Sequence, residues 1–394
     1  MLQDEMRAAI LAIGTAVPHH QIEQVAFSRW VAESFGNQPA LNRMIHRLFD
    51  VSGIDTRYSC VPDFSGSCAQ SRFSLSGAVE DAPTTAARMA IYQHEATALG
   101  TLAAQRALAD YTPGQTFDAT TVTHLIVVSC TGFFAPGLDQ AIANGLGLRP
   151  TIERSLIGFM GCAAAFNGLR LARQIVCGQH DALVLVVCVE LSSLHMHPEN
   201  SRTNLVAASL FGDGAAACLV GAPRSDGHDC FQFDGFYSEL VPDTTQEMAW
   251  SIGDHGFILH LSPDIPRRLG EVAPQALAAL LDGQPDPRFW AIHPGGRAIV
   301  ERLAELFALA PDHVDASLSV LRRYGNMSSP TILFVLDELR GRIRRAGGGM
   351  VPGVAMAFGP GLVVEMAHLS YLPPNLLTIE PAAEQSMRVG EYVA

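Results

Sequence analysis

Apolar positions along this chain follow two rhythms. Continuous apolar and β-branched runs at Thr123 to Ser129 and Ala182 to Leu191 predict strands buried on both faces. Between them, Phe166, Leu169, Ala172, Ile175 and Val176 recur at helical spacing. That predicts a helix over Ala163 to Cys177, with Gly178 as its C-terminal stop. A further strand is predicted at Ala215 to Val220. The later part repeats the logic. Arg288 to Ile292 predicts a strand ending at His293, and Pro330 to Arg345 predicts a helix closed by Gly347, Gly348 and Gly349. Val354 to Phe358 and Leu362 to Leu369 predict two strands around a Gly-Pro-Gly turn. Strands alternating with helices predict α/β layers. The stretch Gly221 to Asp229, rich in Gly, Pro, Asp and Ser, predicts a boundary dividing 1–222 from 223–394. Two similar halves suggest a duplicated fold, although no clear sequence repeat links them.

Composition narrows the function. Of 394 residues, 48% are hydrophobic and 16% charged, which fits a well-packed globular protein. The net charge of −13 argues against a nucleic-acid partner, which needs a basic face. A small anionic ligand stays compatible, held by a few arginines or a helix N-terminus. No apolar run reaches the ~18 residues of a membrane span, so no stable membrane insertion is expected. Arg7 to Val17 is apolar, but too short and too poorly flanked for a secretory signal. None of the eight cysteines forms a C-x-x-C pair, and several sit in apolar runs. A reducing, cytoplasmic location is expected, with at most one catalytic cysteine.

Three places can carry chemistry. Cys162 lies between Gly161 and three alanines at the predicted start of a helix. Small neighbours leave its sulfur reachable, and a helix N-terminus favours the thiolate that attacks a thioester. His293 ends an apolar strand and precedes Pro294-Gly295-Gly296, where sites of open α/β folds gather. Imidazole can pair with a thiolate and donate to a developing oxyanion. Asn326 sits in the polar turn YGNMSSP, and its amide is a neutral donor that does not titrate. Each residue alone also fits an ordinary role: a buried cysteine, a loop histidine, a helix cap.

Other features carry less. The glycine turns at Phe211 to Gly214 and Phe358 to Leu362 let backbone pass closely, but neither fits a dinucleotide fingerprint or a phosphate loop. His195 and His197 lack a third ligand nearby and read as surface loop, so no metal site is expected. The basic stretch Arg340 to Arg345 reads as a solvated helix face.

Taken together and in order, these strings resemble the chalcone synthase family, the type III polyketide synthases. They are GFMGCAAAFNGLRLA around Cys162, LFGDGAAACLVG around Phe211, AIHPGG around His293, YGNMSSPTILFVL around Asn326, AFGPGL, and LIVVSCTGFFAPGLD. The resemblance runs from about Ala8 to Leu369. It implies an α/β thiolase fold, five-layered αβαβα from two related halves, working as a homodimer. It implies a nucleophilic Cys162 and an oxyanion-stabilising pair, His293 and Asn326, which drives malonyl decarboxylation. The substrates would be an acyl-CoA starter and malonyl-CoA, with no metal or organic cofactor. Phe211 would gate the cavity. The cavity and tunnel positions would be Cys130, Thr131, Ala135, His195, Ala207, Trp250, Leu259, Ser328, Phe358, Gly359 and Pro360.

Several of these depart from the plant enzymes. Cys130-Thr131 replaces Thr-Ser, and Ala135 replaces a Met that reaches across the dimer. His195, Ala207, Trp250 and Leu259 replace Thr, Gly, Gly and Phe. Of three basic CoA contacts near the N-terminus, Arg47 is kept, while Met44 and Val51 stand at the others. The stretch MAWSIGDHGFILHLSPDIP is closer to bacterial members, which favours an alkylpyrone or alkylresorcinol product. Rival readings are a single-condensation ketoacyl synthase III that uses a carrier protein, and a non-catalytic binding protein of the same fold.

Overall fold

Both faces of the central strands are covered, as their uninterrupted apolar runs predict. The computed structural model describes residues 7–65, 73, 79–197, 201–223 and 227–374. Cys68 lies outside them. The chain opens with β1 (Ala9–Ala16), β2 (His20–Glu23), α1 (Gln24–Ser34), α2 (Pro39–Val51) and β3 (Thr56–Ser59). It continues with α3 (Thr85–Tyr111), β4 (His124–Ser129), α4 (Leu138–Leu146), β5 (Glu153–Gly158), α5 (Ala164–Gly178), β6 (Val184–Leu191), α6 (Arg202–Leu210) and β7 (Asp213–Gly221). After β7 come β8 (Cys230–Leu240), β9 (Met248–Gly253), β10 (Gly256–Leu261), α7 (Ile265–Leu280) and β11 (Phe289–Ile292). The last elements are α8 (Arg297–Leu306), α9 (Pro311–Tyr324), α10 (Thr331–Ala346), β12 (Val351–Gly359) and β13 (Val363–Leu372).

Nine strands form one sheet in the order β11-β12-β13-β8-β1-β7-β6-β4-β5. It is two sheets joined by a narrow seam, since β1 and β8 pair only at Ala9–Gln232 and Ile10–Phe231. On either side of that seam the pattern repeats. β1, β7 and β6 run antiparallel in turn, and β4 runs parallel to β6. β8, β13 and β12 run antiparallel in turn, and β11 runs parallel to β12. The duplication is therefore visible in topology where no sequence repeat is.

Side-chain alternation builds the layers. In β6, Leu185, Val187 and Val189 enter a core shared with α3, while Val184, Val186 and Cys188 enter one shared with α5 and α10. In β12, Ala355 and Ala357 face the α5 and α10 core, while Val354, Met356 and Phe358 face α7 and α8. The layers are thus helix, sheet, paired central helices, sheet, helix: the αβαβα thiolase fold. Gly14 marks how tightly α3 lies on β1, since a Cβ there would sit 2.2 Å from Ala107 N.

Helix α5 stops at Gly178, as expected, and Gln179 leaves it in an extended conformation. One expectation needs correction. The basic stretch after Pro330 is not a solvated face throughout. Arg340 is buried, and its guanidinium spans Asp110 and Asp229, drawn there by charges far away in sequence.

Candidate active site

The repeat brings the site together. Cys162 precedes α5, and Asn326 to Ser328 precede α10, so both central helices begin at one place. Cys130 follows β4 as His293 follows β11, at the ends of corresponding strands. The chain turns sharply ahead of Cys162. Phe159 (φ 55°) and Gly161 (φ 64°) are both left-handed. A Cβ at Gly161 would lie 2.2 Å from Pro360 Cδ, so only glycine lets the Gly359-Pro360 turn close over this corner. Ala163, Ala164 and Ala165 are fully buried, which explains why small residues follow Cys162.

Asn326 is presented as a donor. Its Oδ1 accepts the Ser328 N–H at 2.8 Å, which turns Nδ2 toward Gly295 O (3.1 Å) and Cys162 Sγ (4.0 Å). Ser328 adopts φ 59° to make that contact, a strained backbone spent on orienting the amide. His293 continues the ladder, with its N–H on Met356 O at 2.8 Å. Its ring is buried, and among the described residues neither ring nitrogen has a partner. Burial pulls the imidazole down to about 3 and pushes the Cys162 thiol up to about 11. Ser328 and Asn326 oppose the rise at Cys162 by hydrogen bonding to the sulfur. Burial thus opposes the lone thiolate expected from the helix N-terminus alone. Proton transfer from thiol to imidazole instead creates two opposite charges at once, which attract each other.

Cys162, His293 and Asn326 open onto one cavity of roughly 290 Å³. Among the described residues no Asp, Glu, Lys or Arg lines it, and its wall is largely aliphatic and aromatic. Phe211, Cys130, Thr131, Ala207, Leu259 and Ser328 line it. So do Phe358 and Pro360, while Gly359 lies behind, against Met160 and Ala163.

His195 is cavity wall and not surface loop, which corrects the sequence expectation. Its Nε2 donates to Thr131 O at 2.7 Å, and its Nδ1 accepts the Phe257 N–H at 2.9 Å. Those two bonds fix a neutral ring, and burial holds it at about 3. The ring stacks on Phe257 at 4.1 Å, while Trp250 stands edge-on to both and donates to Cys130 O at 2.8 Å. Local sequence could not foresee this, because Phe257 and Thr131 lie 62 and 64 residues away.

Two more expected positions lie outside the cavity. Arg47 is exposed on α2, and Ala135 is exposed beside the edge of the sheet. Sequence reasoning also missed Glu190. Its carboxylate accepts from Cys130 N (2.9 Å), Thr131 Oγ1 (2.9 Å) and Ser329 Oγ (2.6 Å), and burial raises it to about 7. It ties the loop after β4 to the loop before α10. A lone acid inside the apolar run LVVCVEL was the signal available.

A thiol, an imidazole and an oriented amide at the end of an apolar chamber on a thiolase frame define an acyl-transferring enzyme. Family comparison agrees. Residues 2–224 match chalcone and stilbene synthases, N-terminal domain, and 234–373 match their C-terminal domain. The chain belongs to the chalcone and stilbene synthase family, the type III polyketide synthases. Among similar solved structures is PKS-I from the brown alga Ectocarpus siliculosus. It has TM-score 0.84 and 28% identity over 94% of this chain and 99% of that one. Another is the C-terminal type III polyketide synthase domain of Steely1, a type I/III hybrid from Dictyostelium. It has TM-score 0.82 and 26% identity over 93% of this chain and 99% of that one.

Proposed function

We propose that the enzyme extends an uncharged, largely aliphatic acyl starter with malonyl units and releases an alkylpyrone or alkylresorcinol. One observation carries this reading: among the described residues, the chamber behind Cys162 has no Asp, Glu, Lys or Arg in its lining. An ionised starter would leave water for that wall unpaired, whereas an alkyl chain gains by burial. In the proposed cycle, the Cys162 proton passes to His293 and the thiolate attacks the starter thioester. CoA leaves with that proton. Malonyl-CoA then loses CO2, and the Asn326 amide and the His293 ring stabilise the enolate oxygen. The enolate carbon attacks the acyl-Cys162 carbonyl, so a C–C bond forms, the C–S bond breaks and the thiolate is regained. CoA thioesters are the substrates, and no cofactor is assigned a step.

Incubation with labelled malonyl-CoA and acyl-CoA starters of graded length, read by mass spectrometry, tests this. Pyrones or resorcinols carrying several added two-carbon units on an aliphatic starter are expected. Single-condensation products formed only from carrier-protein-bound malonate would replace the reading with the ketoacyl synthase one. Trp250→Ala should enlarge the chamber and favour a starter two methylenes longer by about tenfold in kcat/KM. An unchanged starter preference would remove Trp250 from the specificity wall.

The reading includes a homodimer. Among the described residues β5 is an edge strand pairing only with β4, and Leu156 on it and Met160 just after it are 45% and 41% exposed. Phe133 stacks on Phe159 there at 5.2 Å, which places the Ala135 loop at the same edge. A second copy would cover it. Light scattering should read the mass of two chains; a one-chain mass would withdraw this part and the role of Ala135.

A further inference from the structure

We infer that Arg57, on β3, is a positioning residue that holds both Phe211 and Asn326; this rests on the functional reading above. Arg57 is 1% exposed. Among the described residues it makes no ion pair with a carboxylate, and its Nε has no acceptor. Its Nη1 donates to Phe211 O at 2.7 Å, and its Nη2 to Gln24 Oε1 at 2.7 Å. The rings of Phe27 and Phe49 face the guanidinium, with centroids 4.8 and 5.5 Å away. Burial draws its pKa down to about 9, against an opposing pull from Asp213. A buried cation with so few partners is costly to the fold, so its retention calls for a reason.

The reason lies in what the donors grip. α6 ends at Leu210, and the last carbonyls of a helix lack intrahelical donors. Three consecutive carbonyls here are each taken by a different element. Ser209 O accepts Gln24 Nε2 at 2.9 Å. Leu210 O accepts the Asn326 N–H at 2.9 Å, and Phe211 O accepts Arg57. Asn326 O in turn accepts the Gly212 N–H at 3.0 Å. With the carbonyls on either side clamped, the peptide that seats Asn326 cannot rotate. A cation at a helix C-terminus also complements the helix dipole. Arg57 Cβ lies close to both segments that exchange these hydrogen bonds, 3.2 Å from where a Cβ at Gly212 would be and 3.4 Å from one at Gly325.

The test is Arg57→Met, which keeps the bulk and removes the fork. Turnover of malonyl-CoA is measured per alkylatable Cys162, beside melting temperature. If the wild-type protein does not turn over malonyl-CoA, the functional reading fails and Arg57 is not at issue. Given wild-type turnover, Arg57→Met should lose about a hundredfold in kcat. KM should stay within about threefold, because the substrate contacts remain. Arg57→Lys keeps the charge but not the fork and should lose about tenfold. A folded Arg57→Met with wild-type kcat, or a loss confined to the number of alkylatable sites, overturns the proposal. If Arg57→Met does not fold, Gln24→Met serves, since it frees Ser209 O and one arm of the guanidinium. It should lose about tenfold in kcat, and wild-type kcat there overturns the proposal equally.

Discussion

Cys162→Ala should abolish condensation, by about 10⁴-fold or more, in a protein that still folds. The substitution removes one sulfur from a packed corner already lined by alanines, so the frame loses little. The chemistry loses its covalent carrier. Mass spectrometry after exposure to a starter CoA should show an acyl adduct on the Cys162 peptide of the wild-type protein and none on the variant. Retained full condensation would refute covalent catalysis at this residue. Cys162→Gln separates the steps further. His293 and the Asn326 amide remain, so malonyl-CoA should still release CO2. Loss of that release would count against the pair as the decarboxylation centre.

The second large effect concerns stability. Arg340 reaches from α10 to Asp229 (Nη2 to Oδ1, 2.8 Å), just before β8, and to Asp110 on α3. Arg344 and the Tyr371 hydroxyl share Asp229. Arg340→Met should destabilise by about 3 kcal/mol, because it takes a buried guanidinium from two carboxylates and leaves Asp229 with Arg344 and Tyr371 alone. A fall in melting temperature of about 4 °C is expected near neutral pH. The pH dependence has a definite sign. Burial pushes Asp229 up, but Arg344 and Arg340 outweigh it and hold the carboxylate at about 2. A depressed carboxylate stabilises the fold above its ordinary pKa, and that stabilisation fades as pH falls toward 2. The melting temperatures of wild type and variant should therefore converge in acid. A constant gap down to pH 2 would deny Asp229 this role.

What the sequence disclosed and what it hid follow from range. β6 and β12 were legible because an apolar run between Gly and Pro punctuation needs no partner to identify it. Cys162, His293 and Asn326 were legible because each sits in a short string of small or turn-forming residues. Arg57 was not. Nothing around it in TRYS signals that its acceptor lies 154 residues away at Phe211. Arg340 looked solvated for the same reason, since its carboxylates are 111 and 230 residues distant. His195 looked like a loop because its stacking partner belongs to another hairpin. Periodicity reports which face is buried, but not which distant polar group will meet a buried charge.

The two halves share a strand pattern but not their connections. Between β6 and β7 lie 192–212, with His195, Ala207 and Phe211, whereas between β12 and β13 lie only 360–362. The β9–β10 hairpin with Trp250 and Leu259 is likewise its own small sheet, outside the nine strands. The proposed catalytic groups thus lie at element ends of the repeated scaffold, and much of the chamber wall on segments set between its strands. Variation in those grafts can alter what is made without touching how it is made. New products in such a lineage should arise by drift at 192–212 and 248–261, while the helix starts at Cys162 and Asn326 stay fixed.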